Sequence, residues 1–179
     1  MIDHADRIAL RDGAVVGLRP IVAADADRLA SFFARLSRAS RDRRFLGPKP
    51  SLSRREVAYL ADVDQVAHGA IVAVELERGD AVGEARYAVW PGRPKAADLA
   101  VTVRDDLQGR GLGRALTGRV VAQARMHGFA VLTASTAWSN APARGLLRSL
   151  GFRALGSDAG VLDLELALQA APDAGCVAC

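Results

Sequence analysis

The stretch RDDLQGRGLGRAL, Arg104 to Leu116, decides how this chain is read. It places Gly109, Gly111 and Gly113 at alternate positions, with Arg110 and Leu112 between them and Arg114 after. A glycine in a structured segment costs about 0.5–1 kcal/mol relative to alanine, so such a cluster implies a demand on the backbone that a bare turn does not make. Upstream, ADLAVTV (97–103) reads as a strand; downstream, Leu112, Leu116 and Val120 recur at helical spacing as far as His127-Gly128, where glycine stops a helix. The glycines therefore sit where a strand ends and a helix begins. The first amides of a helix lack internal partners and carry the positive end of its dipole, so a turn without side chains there makes an anion cradle. Arg110 and Arg114 supply mobile charge at its rim, and the pattern suits a pyrophosphate.

The remainder of the chain sets the class. Half of the 179 residues are hydrophobic and no linker-like composition divides them, which fits one domain with a sizeable core. The boundaries expected are an N-terminal extension at 1–13, the domain at 14–168, and a disordered tail at 169–179. No apolar run reaches the roughly 20 residues that span a bilayer, and MIDHADRIAL carries acids where a signal peptide would carry positive charge. A soluble, cytoplasmic protein with no membrane contact is expected. The net charge of +4 is almost all arginine, since Lys49 and Lys95 are the only lysines. A pI near 9.7 raises nucleic-acid binding as an option, but the arginine-rich segment has no interleaved aromatic beyond Phe45, so no nucleic-acid partner is expected. Cys176 and Cys179, the only cysteines, lie in the last four residues; they build no disulfide framework, and no metal site is expected.

Along the chain, AVVGLRP (14–20) reads as a first strand and AADADRLASFFARL (23–36) as a helix, with Leu29, Phe32, Phe33 and Leu36 on one face. SRASRDRRFLGPKP (37–50) reads as a basic connection, and SRREVAYLAD as a short helix with Ser53 and Glu56 as a capping box. VAHGAIVAVELERGDAVGEARYAVW (66–90) alternates like two strands about the turn Arg78-Gly79-Asp80. After the breaker PGRPK come the strand ADLAVTV, the glycines and their helix, a buried strand FAVLTAS (129–135), a helix APARGLLRSL (141–150) and a final strand GVLDLELAL (160–168).

Three phosphate-binding patterns compete for the glycines. A Walker loop would need Lys-Ser or Lys-Thr after them, and none follows. The dinucleotide pattern G-x-G-x-x-G fails, because Arg114 or Leu116 stands in the last place, and FAVLTAS ends without the acid that would hold a ribose. Gln108-Gly-Arg-Gly111-Leu-Gly113 fits Q-x-x-G-x-G, and SNAPARGLLRSLGF (139–152) supplies an asparagine, a helix and a Leu-Gly-Phe in the expected order and separation. With both motifs, the chain resembles the GCN5-related N-acetyltransferases over about residues 14–168.

That resemblance implies an α/β (α+β) fold with a mixed, mostly antiparallel central sheet, a splayed parallel strand pair, and flanking helices. It implies acetyl-CoA as cosubstrate, its pyrophosphate held by Gln108, Gly109, Arg110, Gly111, Leu112, Gly113 and Arg114. Backbone groups around Val101, Thr102 and Val103 would meet the acetyl carbonyl and pantetheine, and Asn140 the pantetheine or adenosine arm. Fixed N–H dipoles aimed at developing negative charge are worth about 3–4 kcal/mol per donor. The acceptor amine, with a pKa of about 10.4 for an alkyl ammonium, must lose a proton. Related enzymes often carry a glutamate where Asp98 stands, so Asp98, acting directly or through a water, is the first candidate base; Glu84 on the neighbouring strand is the second. Either carboxylate could instead pair with Arg86 or Arg104. Where many relatives place a tyrosine to protonate the leaving thiolate, this chain has Leu147.

The N-terminal pattern, with AADLAVTV, is similar to the branch that includes bacterial protein-lysine acetyltransferases. The acceptor expected is a primary amine, a protein lysine or a small molecule, used by a monomer or homodimer. Arg38, Arg41, Arg43 and Arg44 could orient an acidic partner or a coenzyme phosphate, or simply form a solvated face. An acyl-CoA binding or sensing module that has lost catalysis is the alternative, favoured by Leu147 and by Asp in place of Glu.

Overall fold

The computed structural model describes residues 6–168. Its eight strands are β1 (Asp6–Ala9), β2 (Val15–Pro20), β3 (His68–Glu75), β4 (Ala81–Trp90), β5 (Arg93–Val103), β6 (Val131–Ala137), β7 (Arg153–Asp158) and β8 (Val161–Ala167). They form one sheet in the order β1-β2-β3-β4-β5-β6-β8-β7. Every neighbouring pair is antiparallel except β5–β6, which is parallel. This is the mixed, mostly antiparallel sheet the sequence led one to expect. Tight turns make the long hairpins possible: Gly79 (φ 70°) joins β3 to β4 and Gly92 (φ 74°) joins β4 to β5.

Five α-helices among the described residues cover the two faces: α1 (Ala26–Arg35), α2 (Arg38–Phe45), α3 (Arg54–Ala61), α4 (Leu112–Met126) and α5 (Ala141–Ser149). Leu29, Phe32, Phe33 and Leu60 pack on Ala70, Val72 and Val74 to form one core. On the opposite face, Leu112, Leu116 and Val120 of α4 meet Ala85, Tyr87 and Leu99 of the sheet, joined by Leu132, Leu164 and Leu147. Full burial of such a side chain is worth about 1.5–3 kcal/mol, so the two cores fix which face each strand residue takes. The capping box of α3 forms as read: Ser53 Oγ accepts from the Glu56 amide at 3.3 Å, and Glu56 Oε2 from the Ser53 amide at 2.8 Å.

Four features depart from the sequence reading. Asp6–Ala9, read as part of an extension, pair with β2 as an edge strand, so AVVGLRP holds the second strand rather than the first. The basic connection contains α2, which Ser37 caps by accepting from the Ser40 amide at 3.1 Å and which ends on Leu46 in the left-handed region at φ 53°. The breaker PGRPK is only partly a turn, because β5 starts at Arg93. Arg153–Asp158, unassigned before, form β7. The expected tail and its two cysteines lie outside the described residues. No helix among the described residues is long and apolar enough to cross a membrane.

Candidate active site

The parallel pair β5–β6 is joined by only three rungs, Ala96–Val131, Ala97–Leu132 and Asp98–Thr133. Beyond Asp98, β5 stays paired with β4 as far as Val103, and β6 stays paired with β8 as far as Ala137. The two facing edges diverge there, leaving backbone groups without a ladder partner. A cavity of about 620 Å³ fills the wedge, lined by Leu99–Val103 of β5, Ser135 and Thr136 of β6, the glycine loop and α5. Val101, Thr102 and Val103, proposed for the acyl arm, all line it. Thr102 is buried, and its Oγ1 has no hydrogen-bond partner among the described residues.

The glycine loop closes one end of the wedge. Gly109 (φ 75°) and Gly111 (φ 97°) occupy the left-handed region, where a Cβ is strained, and Gly111 caps α4. The helix makes its first bond from the Ala115 amide to Gly111 O at 3.1 Å, so the amides just before it have no carbonyl within the helix to serve. Gly113 is ordinary backbone; a Cβ there would lie 3.4 Å from Leu146 Cδ2 and 3.7 Å from Val103 Cγ2. Gln108 braces the loop, its Nε2 donating to Val103 O at 3.1 Å and to Ser40 Oγ at 3.2 Å.

Gln108, Gly109, Gly111, Gly113, Arg114 and Asn140 come together on the cavity wall. Two members of the expected set do not. Arg110 turns away to pair with Asp12, and Leu112 is buried in the core. Sequence reasoning missed Arg11, which lines the cavity from the turn after β1 and whose amide donates to Arg110 O at 3.0 Å. Its separation of about 100 residues from the loop left no local signal. Asn140 caps α5, with Oδ1 accepting from the Ala143 amide at 3.3 Å. Leu147 is buried against the same cavity, so no hydroxyl stands at that place.

The register of β4 and β5 pairs Glu84 with Thr102, Arg86 with Ala100 and Ala88 with Asp98, which puts Glu84, Arg86 and Asp98 on one face. Asp98 Oδ1 accepts from Thr133 Oγ1 at 3.2 Å, and Thr133 Oγ1 accepts from Trp90 Nε1 at 2.9 Å. An indole N–H can only donate, so the Thr133 proton is free to point at Asp98. Burial pushes the Asp98 carboxyl above its ordinary value, opposed by the Thr133 hydrogen bond and the nearby charge of Arg44.

Glu84, the second candidate base, is a different kind of carboxylate. It is fully buried, with Arg86 Nε at 2.6 Å and Arg44 Nε at 3.4 Å, and it lines neither cavity. Burial alone would raise it, but Arg86 and Arg44 outweigh that and hold it below its ordinary value. Its place in the structure is an ion-pair centre away from both cavities. The arginine cluster likewise divides: Arg38 is exposed beside Asp42, Arg41 donates to Leu36 O at 2.6 Å, Arg43 lines the large cavity, and the half-buried Arg44 pairs with Glu84.

A second cavity of about 310 Å³ lies under α2 and α3, walled by Tyr59, Leu60, His68 and Arg86. The two cavities share Arg44, Asp98 and Ala100. Asp98 therefore stands at their junction, where the paired part of β5–β6 ends.

Comparison with known proteins agrees with this geometry. Residues 16–153 match the family model of the acetyltransferase (GNAT) domain. An acetyltransferase of Pseudomonas aeruginosa is 36% identical over 146 residues, covering 80% of this chain and 78% of that protein. The acetyltransferase Pat of Mycolicibacterium smegmatis is 29% identical over 89% of this chain, which spans only 47% of that enzyme. Among solved structures, the GNAT domain of Streptomyces lividans PAT superposes with a TM-score of 0.84 at 30% identity, covering 92% of this chain and 97% of that domain.

Proposed function

The chain belongs to the GNAT acetyltransferase family, and on that premise we propose that it moves an acetyl group from acetyl-CoA to a primary amine by direct transfer, with Asp98 accepting the amine proton. The observation that carries this reading is the position of Asp98 at the meeting point of two cavities, one shaped by the glycine loop and the splayed strand, the other open to an acceptor. Loop amides from Gly109 to Arg114, with Arg11 and Arg114 at the rim, hold the pyrophosphate. Unpaired backbone groups of β5 between Leu99 and Val103 orient the thioester carbonyl and stabilise the negative charge that develops on its oxygen.

The amine nitrogen attacks the carbonyl carbon, the carbon–sulfur bond breaks, and the proton passes to Asp98 directly or through one water. A carboxyl whose pKa desolvation raises, with Thr133 as its hydrogen-bond donor, is a stronger base than a free aspartate. With Leu147 where an acid would stand, coenzyme A leaves as thiolate, which a thiol pKa of about 8.5 permits. Relatives named for different acceptors bear on the amine class. Besides Pat, an L-methionine sulfoximine/L-methionine sulfone acetyltransferase of Pseudomonas aeruginosa is 37% identical over 81 residues, 44% of this chain.

The test combines calorimetric titration of acetyl-CoA with thiol release in the presence of mixed amines. Saturable binding and amine-dependent release support transfer. Binding without release under any amine would favour the sensing module, a reading that the missing acid at Leu147 keeps in play.

A further inference from the structure

The second cavity ends on two guanidiniums that share one carboxylate. Glu84 sits between Arg86 and Arg44, and both arginines line the cavity while Glu84 does not. Arg86 is 4% exposed; its Nε is used on Glu84, and its Nη1 donates to Leu60 O at 3.0 Å, with His68 Nε2 at 3.2 Å. Its Nη2 is buried with no hydrogen-bond partner among the described residues. A buried cationic N–H without an acceptor is costly, and an ion-pair cluster with one cation in excess leaves its surroundings positive.

The rest of the wall decides what could approach. Asp98 faces the cavity from β5, diagonal to Arg86 on β4, a spacing of about 7–8 Å between such cross-strand neighbours. Glu56 from α3 is occupied by Lys49 and Ser53, which hold its carboxyl down at about 2. Burial and the charge of Arg86 push His68 below its ordinary value, so the imidazole adds no positive charge near neutral pH. Phe45, Leu52, Tyr59 and Leu60 make the remaining surface apolar and aromatic. A bare alkyl ammonium entering here meets two cations on its way to Asp98. An amine that brings its own anion meets a complementary pair.

Building on the acetyl-transfer reading, we infer that the second cavity takes a primary amine carrying a nearby carboxylate, an α-amino acid or close analogue, with the carboxylate on Arg86 and Arg44 and the amine at Asp98. Planar guanidinium suits such a carboxylate, and about 310 Å³ lies at the small end of ligand pockets. The apolar wall receives the side chain.

The experiment measures kcat/KM by thiol release on the wild-type protein for three matched amines, methionine, methioninamide and 3-(methylthio)propylamine, together with a lysine-containing amidated peptide. The α-carboxylate raises the basicity of its own ammonium, so intrinsic chemistry favours the amide and an acid preference must come from the cavity. The expected result is a kcat/KM for methionine about 10- to 100-fold above both neutral analogues and the peptide, the worth of a charge-assisted contact. Arg86→Lys, which keeps the charge and loses the fork, should reduce that ratio chiefly by raising KM for the acid. Equal kcat/KM for acid and amide, or a preference for the lysine peptide, would overturn this inference and leave acetyl transfer standing. Bound acetyl-CoA with no release under any of the four amines would overturn both. Because the comparison is made on the wild-type chain, it holds whether or not Arg86→Lys folds.

Discussion

Two carboxylates on one face of the sheet, Asp98 and Glu84, have opposite environments, and the difference decides what each can do. Burial raises Asp98, while Arg86 and Arg44 bring Glu84 below the ordinary range despite its burial. Removing the Thr133 donor with Thr133→Val should raise Asp98 further and move the acid limb of the kcat/KM profile to higher pH, whereas Thr133→Ser should leave the limb in place. Unshifted limbs in both variants would remove Thr133 from the account. Glu84→Gln leaves two guanidiniums without their shared anion and should cost about 3–5 kcal/mol in chemical denaturation, the usual penalty for breaking a buried ion pair from one side. Asp98 came from the family resemblance at its strand position, and the strand itself was legible from its local apolar pattern. The environment of Glu84 was not, since Arg44 reaches it across 40 residues from a helix that the sequence did not announce.

At the scale of elements, the glycine loop divides into positions that need glycine and positions that tolerate a side chain. Gly111→Ala forces a Cβ into a φ of 97° at the N-terminus of α4 and should weaken acetyl-CoA binding by about 10-fold or more, while Gly113→Ala meets only ordinary contacts and should bind more nearly like wild type. Arg110→Ala should leave affinity within about twofold, because its guanidinium is held by Asp12; Arg114→Ala, at the cavity wall, should lower affinity about 10-fold. Calorimetric titration of the four variants gives the order directly. Strands and helices with an apolar stripe were read from sequence because periodicity reports burial. Three elements lacked that signal: α2 is arginine-rich and tethered through Ser37 and Ser40 to Asp105, β7 is exposed at every residue, and β1 is a four-residue edge. Of these, α2 matters most for the site, since it delivers Arg43 and Arg44.

The fold of the described residues places two cores on opposite faces of the sheet and sets the junction of the acyl and acceptor cavities at the end of a three-rung parallel ladder. Its response to pH follows from which carboxylates the fold favours as charged. Asp25, buried but held low by Arg19 and the Val22 amide, and Glu84 both have depressed values; their contribution is complete above the ordinary carboxylate range near about 4 and is lost as pH falls through their lower folded values. Asp98 has the opposite sign: its contribution is present below its ordinary value and lost as pH rises through the raised one. Depressed carboxylates, among them also Glu56, Asp64 and Asp105, outnumber the raised Asp98 and predict a urea midpoint that falls steadily as the solution is acidified below about pH 4. The most direct test of acetyl transfer with Asp98 as base is the pH–rate profile of Asp98→Asn with acetyl-CoA affinity measured alongside. Turnover near neutral pH should fall by about 10²–10⁴ with affinity retained, and should recover as pH approaches the acceptor's own pKa and more amine arrives without its proton. A variant with wild-type turnover at neutral pH, or a loss that no rise in pH restores, would contradict it.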